Sequence, residues 1–450
     1  MLIASLYIRI IEFVPESCRS VAQPEDIFMN EQPLLSVSEA RAQVLARFRP
    51  LPAEPVGLAD ALGRVLAEPA IAREDLPPFA NSSMDGYAVR AADVAGASAQ
   101  APIVLPVSGD IAAGTAASPL APHTAMRIMT GAMLPPGADA VVPVEATDAR
   151  WREGETLAAH VAVFAAAQPG AAVRAAGEDM RAGDTLVPAG TVLGAAEIAV
   201  LAAIGVGTPR VIGRPRVAIV SSGDELVEPG DDALAPGQIR NSNAYALAAL
   251  VSACGGVSRI IPTARDTRAS VDAALDDALS GNPHLIVSSA GVSVGAFDYM
   301  RAALEARGQL GFWRVNVRPG KPLAFGAVGG VPVVGLPGNP VSAQVTFHLF
   351  VQPALLLMAG KPDETPTIEA ALAHAVRSDG RESYIRVTLH RESTGWAAAE
   401  TGTQSSGALT SMLRADGLLV LPAGVKAAAP GDRFRVRVLR PSLLLRSLHC

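Results

Sequence analysis

The densest chemistry in the chain lies in the segment FWRVNVRPGKPLAFG, where Arg314, Arg318 and Lys321 stand close together. Guanidinium and ammonium groups at that spacing suit an oxyanion, which accepts several charge-assisted N–H bonds at once. Pro319, Gly320 and Pro322 fix the turn that carries them. If Trp313 to Arg318 is one strand, its two-residue period puts Arg314 and Arg318 on the same face. Lysine occurs only at Lys321, Lys361 and Lys426, with arginine at every other basic position. Lys321 therefore fits a place that needs a compact, mobile ammonium and not a planar fork.

Five further segments pair chemistry-bearing side chains with glycine turns. VAIV runs into SSGDEL, so Ser222, Gly223, Asp224 and Glu225 follow an apolar run, where glycine permits close approach and carboxylates can hold Mg²⁺ or a sugar hydroxyl. HLIVSS leads through Ser289, Gly291, Ser293 and Gly295 to Asp298, near the start of an expected helix. Backbone amides there can hold an anion, and Asp298 can bind a cation or cap the helix. GLPGNPVS offers Pro337, Gly338 and Asn339 ahead of a long apolar helix, with Asn339 as its cap, Pro340 at its first position and Ser342 in its first turn. NSSMDGYAVR and RIMTGAMLPPGADAVV place Asp85 and Thr130 in glycine-flanked turns. Taken singly, each of these also fits ordinary turn and cap chemistry.

Gly291, Ser293 and Gly295 also spell the G-x-S-x-G elbow of serine hydrolases. His348, His374 or His390 and Asp363 or Asp379 could complete a triad, so a hydrolase using Ser293 is the alternative enzyme reading. Walker A, G-x-G-x-x-G and H-E-x-x-H patterns are absent, which removes the usual support for kinase, dinucleotide and zincin readings.

These residues need a scaffold that presents strand ends. After Arg214, apolar runs (VAIV, RIIP, HLIVSS, VPVVGL) alternate with helical spacing at Leu247, Leu250, Val251 and Cys254, and at Val271, Leu275, Ala278 and Leu279. That is βαβ alternation, and open α/β sheets bind ligands beyond the carboxyl ends of their strands. Flanking it are short strands between Gly and Pro turns: IVLPV, MRIM and AVVPV on one side, YIRVTLH, LLVLP and RFRVRVL on the other.

The expected fold is multidomain α/β plus β. It comprises an extension (1–33), a discontinuous N-terminal domain (34–78 with 173–212), a small β domain (79–172), a central three-layer α/β domain (213–363) and a C-terminal β domain (364–450). The first helix is expected after Ser36 or Ser38, with Val44, Leu45 and Phe48 inward.

At 450 residues the chain exceeds what a single core usually supports. Thirty-seven basic against 43 acidic residues, without charge runs, point away from nucleic acid and membrane partners. Three scattered cysteines fit a reducing cytoplasm. The apolar start MLIASLYIRIIEF, interrupted by Arg9 and Glu12, reads as neither signal peptide nor anchor, and Met29 offers a second starting point.

Together the pieces NSSMDGYAV, RIMTGAMLPPGADAVV, GEDMRAGDTL, SSGDEL, SSAGVSVGAFDY, FWRVNVRPGKP and GLPGNPVSA occur in the order found in molybdopterin molybdenumtransferases, the molybdenum insertases related to the catalytic domain of gephyrin. The chain resembles that family from about Leu34 to Leu439. The resemblance implies insertion of molybdate into adenylylated molybdopterin, with Mg²⁺-dependent release of AMP, by a cytoplasmic homodimer. An upstream adenylyltransferase and downstream cofactor-handling proteins are its possible partners, and a noncatalytic scaffold role is the other alternative.

The resemblance also implies roles. Asp266, Asp298 and Glu225 match metal and adenylate carboxylates. Ser222, Gly223, Asp224, Ser289, Gly291, Ser293, Gly295, Pro337, Gly338 and Asn339 match the pterin and adenylate loops. Arg318, Lys321, Pro322, Ser342, Arg386 and Ser406 match molybdate positions. Arg314 is a further catalytic position, and Asp85 and Thr130 match residues that reach the partner subunit's cleft. Arg314 and Arg318 stand where the family often has lysine, and Ala290 where it commonly has glycine.

Overall fold

The computed structural model describes residues 34–150, 156–230, 233–289, 299–363 and 365–440. The extension before residue 34, and the segment with Gly291, Ser293, Gly295 and Asp298, lie outside the described residues. Described residues up to Phe48, from Pro215 to Leu355 and from Asp363 onward form one compact unit; Arg49–Arg214 and Leu356–Pro362 form a second.

In the first unit, six strands form a sheet in the order Val257–Ile260, Arg216–Ser221, Leu285–Ser289, Val331–Leu336, Pro322–Val328, Gly308–Arg314. The first four are parallel and the last two join antiparallel. Parallel strands covered on both faces need continuous apolar runs, not alternating ones, and Val217 to Ser221 and Leu285 to Ser289 are buried throughout. Helix Ser242–Ala253 turns Leu247 and Val251 inward, and Arg268–Ser280 turns Val271, Leu275 and Ala278 inward. Each starts at a side-chain cap: Asn241 accepts from the Ala244 N–H, and Thr267 from the Ser270 N–H. The helix Val37–Leu45 opens with a reciprocal capping box between Ser36 and Glu39, buries Val44 and packs with Phe347–Val351. Phe48 is buried beyond it, while Leu45 is only half-buried.

The last strands close into a barrel. Glu382–Glu392, Gly395–Glu400, Thr367–Leu372, Arg433–Val438 and Gly417–Leu421 pair in that order, and the fifth returns to the first. Closure removes unpaired edges, and inward side chains such as Leu372, Ile385, Val387, Leu419 and Val436 fill the interior.

The stretch Trp313 to Arg318 is not one strand. Gly308–Arg314 ends in the α/β sheet, whereas Val317–Arg318 pairs in parallel with Glu382 and Ser383 of the barrel. Alternation of faces holds only along an unbroken strand, so the argument that Arg314 and Arg318 share a face fails.

The second unit carries a five-stranded sheet in the order Ala140–Pro143, Gly86–Val89, Ala125–Ile128, Ile103–Ile111, His160–Val163. Beside it, Ala53–Pro55 pairs with Arg210–Ile212 and Ala70–Ile71 with Thr185–Val187, around a core that includes Ala61, Leu66, Leu201 and Val211. The chain therefore leaves this core for the sheet and returns to it. Among the described residues the helical run Pro340–Met358 is long and apolar enough to cross a membrane; most of it is buried, as in a core helix.

Candidate functional site

A cavity of about 480 Å³ opens where the RPGKP turn, the start of helix Pro340–Thr346 and the barrel meet, all within the first unit. Arg318, Lys321, Pro322, Ser342, Arg386 and Ser406, scattered in the sequence, line it together. The turn depends on its glycine: Gly320 has φ +115°, and a Cβ there would sit 2.4 Å from Thr346 Cγ2. The Arg318–Pro319 peptide is cis, and the Val315 N–H donates to the Lys321 carbonyl at 3.1 Å. Lys321 and Arg318 are exposed. Arg318 lies 3.9 Å from Asp379, which Arg381 engages at 2.6 Å.

Arg386 is the opposite kind of cation. It is 1% exposed on the strand Glu382–Glu392, where Nε donates to Ser411 Oγ at 3.1 Å and Nη2 to the Ser405 carbonyl at 3.0 Å. Loss of hydration pushes the guanidinium down to about 10; Glu400 pulls it back up and Arg318 pushes it further down. Gln404 clamps the same strand, accepting from the Arg386 N–H and donating to its carbonyl. Asn339 occupies the N-cap position with Pro340 following, yet its side chain makes no cap bond and donates to Ser406 Oγ at 3.0 Å instead. That bond ties the barrel loop to the α/β domain.

A second pocket of about 390 Å³ shares Pro322, Pro337 and Asn339 with the first. Glu225, Ser289 and Gly338 line it, together with Arg240, Asn241 and Asn243. Asn243 donates to Ser289 Oγ at 2.9 Å and to the Gly338 carbonyl at 2.7 Å, tying the end of the strand Leu285–Ser289 to the turn after Val331–Leu336. The turn after Arg216–Ser221 buries Ser222 and Gly223 and exposes Asp224. Gly223 has φ +153°, and a Cβ would meet the Glu225 carboxylate at 2.5 Å. The Asp266 N–H donates to Asp224 Oδ1 at 3.3 Å, so SSGDEL and the segment 263–266 meet at neighbouring strand ends. Among the described residues no three His, Cys, Asp or Glu side chains form a metal cluster. Hard carboxylate oxygens in ones and twos nevertheless fit Mg²⁺, which usually keeps water and takes substrate phosphates as its other ligands.

In the second unit, Asp85 Oδ1 accepts from both the Thr130 N–H at 2.7 Å and Thr130 Oγ1 at 2.8 Å. Those two bonds, the backbone one foremost, hold the carboxyl below its usual range.

Some expected positions do not join these pockets. Arg314 ends its strand opposite Pro322 and lines neither cavity. Gly291, Ser293, Gly295 and Asp298 lie outside the described residues. Of the partners proposed for a Ser293 triad, His348 bonds Gln352, His390 lies 3.3 Å from Thr388 Oγ1, Asp363 pairs with Arg41 and Asp379 with Arg381. Sequence reasoning missed Arg240, Asn241, Asn243 and Glu400. Asn241 ahead of an apolar helical run was a readable cap signal for the first three; Glu400, at the end of GWAAAE, had no local signal.

Models of the MoeA N-terminal region (domains I and II), a probable molybdopterin binding domain and the MoeA C-terminal region (domain IV) match residues 35–205, 218–356 and 369–439. The chain is 40% identical over 405 residues to molybdopterin molybdenumtransferase 2 of Mycobacterium tuberculosis, covering 88% of this chain and 96% of that one. It is also 40% identical over 380 residues to the molybdopterin molybdenumtransferase of Nostoc sp., covering 82% and 85%. The crystal structure of the molybdopterin biosynthesis MoeA protein from Pyrococcus horikosii superimposes with a TM-score of 0.75 at 33% identity, covering 90% of this chain and 99% of that one.

Proposed function

Because the chain belongs to the molybdopterin molybdenumtransferase family, we propose that it inserts molybdate into adenylylated molybdopterin and releases AMP. The observation that carries this is the convergence of Arg318, Lys321, Pro322, Ser342, Arg386 and Ser406 on one cavity. A tetrahedral dianion needs donors from several directions, and a fork, an ammonium and two hydroxyls supply them. The adjoining pocket takes the pterin and adenylate: Ser289, Gly338 and Asn339 offer short side chains and backbone, and Asn243 bonds both Ser289 and Gly338. The shared wall of Pro322, Pro337 and Asn339 sets the dithiolene beside the oxyanion, which lowers the entropy cost of bringing the two reactants together.

Asp266 and Glu225, with Asp298, would hold Mg²⁺, which would offset phosphate charge as AMP departs. The reading includes cytoplasmic action as a homodimer, with the Asp85–Thr130 turn of each subunit completing its partner's cleft. Two bonds from Thr130 support it by keeping Asp85 anionic and fixed.

The test supplies pure protein with adenylylated molybdopterin, molybdate and Mg²⁺ and measures AMP and active cofactor. Stoichiometric release of both is expected. Absence of AMP where an established insertase works overturns the proposal.

A further inference from the structure

Among the described residues lining the oxyanion cavity Glu400 is the one acid. It ends the strand Gly395–Glu400, half-buried, and its carboxylate forms no hydrogen bond with a described residue. A bare carboxylate would repel a dianion at this distance from the bulk solvent, since the partly desolvated wall strengthens charge interactions. We propose that Glu400 makes oxyanion entry proton-coupled: the anion is bound together with one proton, held between the Glu400 carboxyl and an oxygen of the anion. This rests on the reading of the cavity as the molybdate site.

The surroundings are consistent with a carboxyl that changes protonation there. Burial pushes Glu400 up from the usual carboxylate range, against the opposing pull of Arg386 on the neighbouring strand and His374 beyond Thr367–Leu372. Arg318, Lys321, Arg377 and Arg381 also border the cavity, so an incoming anion offsets their charge while the shared proton removes that of Glu400. Tyr384, another lining residue, donates to Glu382 and is pushed up by burial, so it stays a neutral phenol. The arrangement also separates anions of one shape. Molybdate is a stronger base than sulfate, so it holds the shared proton better and is favoured over that commoner tetrahedral dianion.

Calorimetric titration of the full-length protein with sodium molybdate, between pH 6.5 and 8.5 and in two buffers of different ionisation heat, tests this. Uptake of about one proton per molybdate on the alkaline side is expected, with affinity falling about tenfold per pH unit, because that slope counts protons taken up. Glu400→Gln should abolish the uptake and narrow the preference for molybdate over sulfate, whereas His374→Gln should keep both. Molybdate binding by the wild-type protein without proton uptake overturns the inference and leaves the insertase reading intact; this needs no variant to fold. Uptake that persists in Glu400→Gln, or vanishes in His374→Gln alone, also overturns it. Failure of the wild-type protein to bind molybdate overturns the site assignment itself.

Discussion

The cavity beside the RPGKP turn in the first unit and the Asp85–Thr130 turn of the second fix charged groups in contrasting ways. Arg386 is buried and held by Ser411 and the Ser405 carbonyl, both on the segment that joins the strands Gly395–Glu400 and Gly417–Leu421. Asp85 is exposed and held by one residue, through bonds that survive in water because both come from the same rigid turn. A desolvated charge needs every donor and acceptor satisfied and is costly to disturb; a solvated one needs only orientation. The contrast predicts that damage spreads from the cavity and stays local at the turn.

The largest effect is expected for Arg386→Ala. Removing the guanidinium leaves the Ser411 hydroxyl and the Ser405 carbonyl without their donor and opens a void, which should cost about 3–5 kcal/mol. Thermal unfolding and molybdate titration should both fall; unchanged stability would show that the buried cation is not structural. Lys321→Ala is expected to separate the two properties. The side chain is exposed, so unfolding should be unchanged, while molybdate affinity drops roughly tenfold to a hundredfold, or about 1.4–2.7 kcal/mol. A collapsed variant would assign Lys321 to the fold instead.

The smallest effect is expected for Thr130→Val, below about 1 kcal/mol because the pair is exposed. Asp85 is depressed in the folded protein, so its contribution is full above the ordinary aspartate range near pH 4 and is lost as pH falls through the lower folded value. Without the Thr130 hydroxyl, Asp85 should titrate closer to the ordinary range, measurable by NMR titration of its carboxyl. An unmoved titration would leave the backbone N–H as the whole cause.

Much of the fold was legible because its signals are local. The Ser36–Glu39 capping box, the inward spacing of Val271, Leu275 and Ala278, and the buried run Leu285 to Ser289 follow from residues a few positions apart. The motifs RPGKP and GLPGNPVS likewise marked one wall of the cavity, whereas Arg377, Arg381, Tyr384 and Glu400 on its barrel side belong to no motif. Arg318 was misplaced within its strand because a period says which face a residue takes only while the strand lasts.

By itself the sequence determined the capped helices and the buried parallel strands, where glycine is required, and which segments gather charge, since propensity, capping and turn chemistry act over short range. Only the tertiary structure decided that Val317–Arg318 joins the barrel, that Arg386 is buried, that Asn339 turns to Ser406, and that Glu400 faces the cations. Those outcomes depend on barrel closure and long-range pairing, which bring together residues far apart in the chain. Hydration, and with it the strength of each charge, is set only when the surrounding surfaces meet.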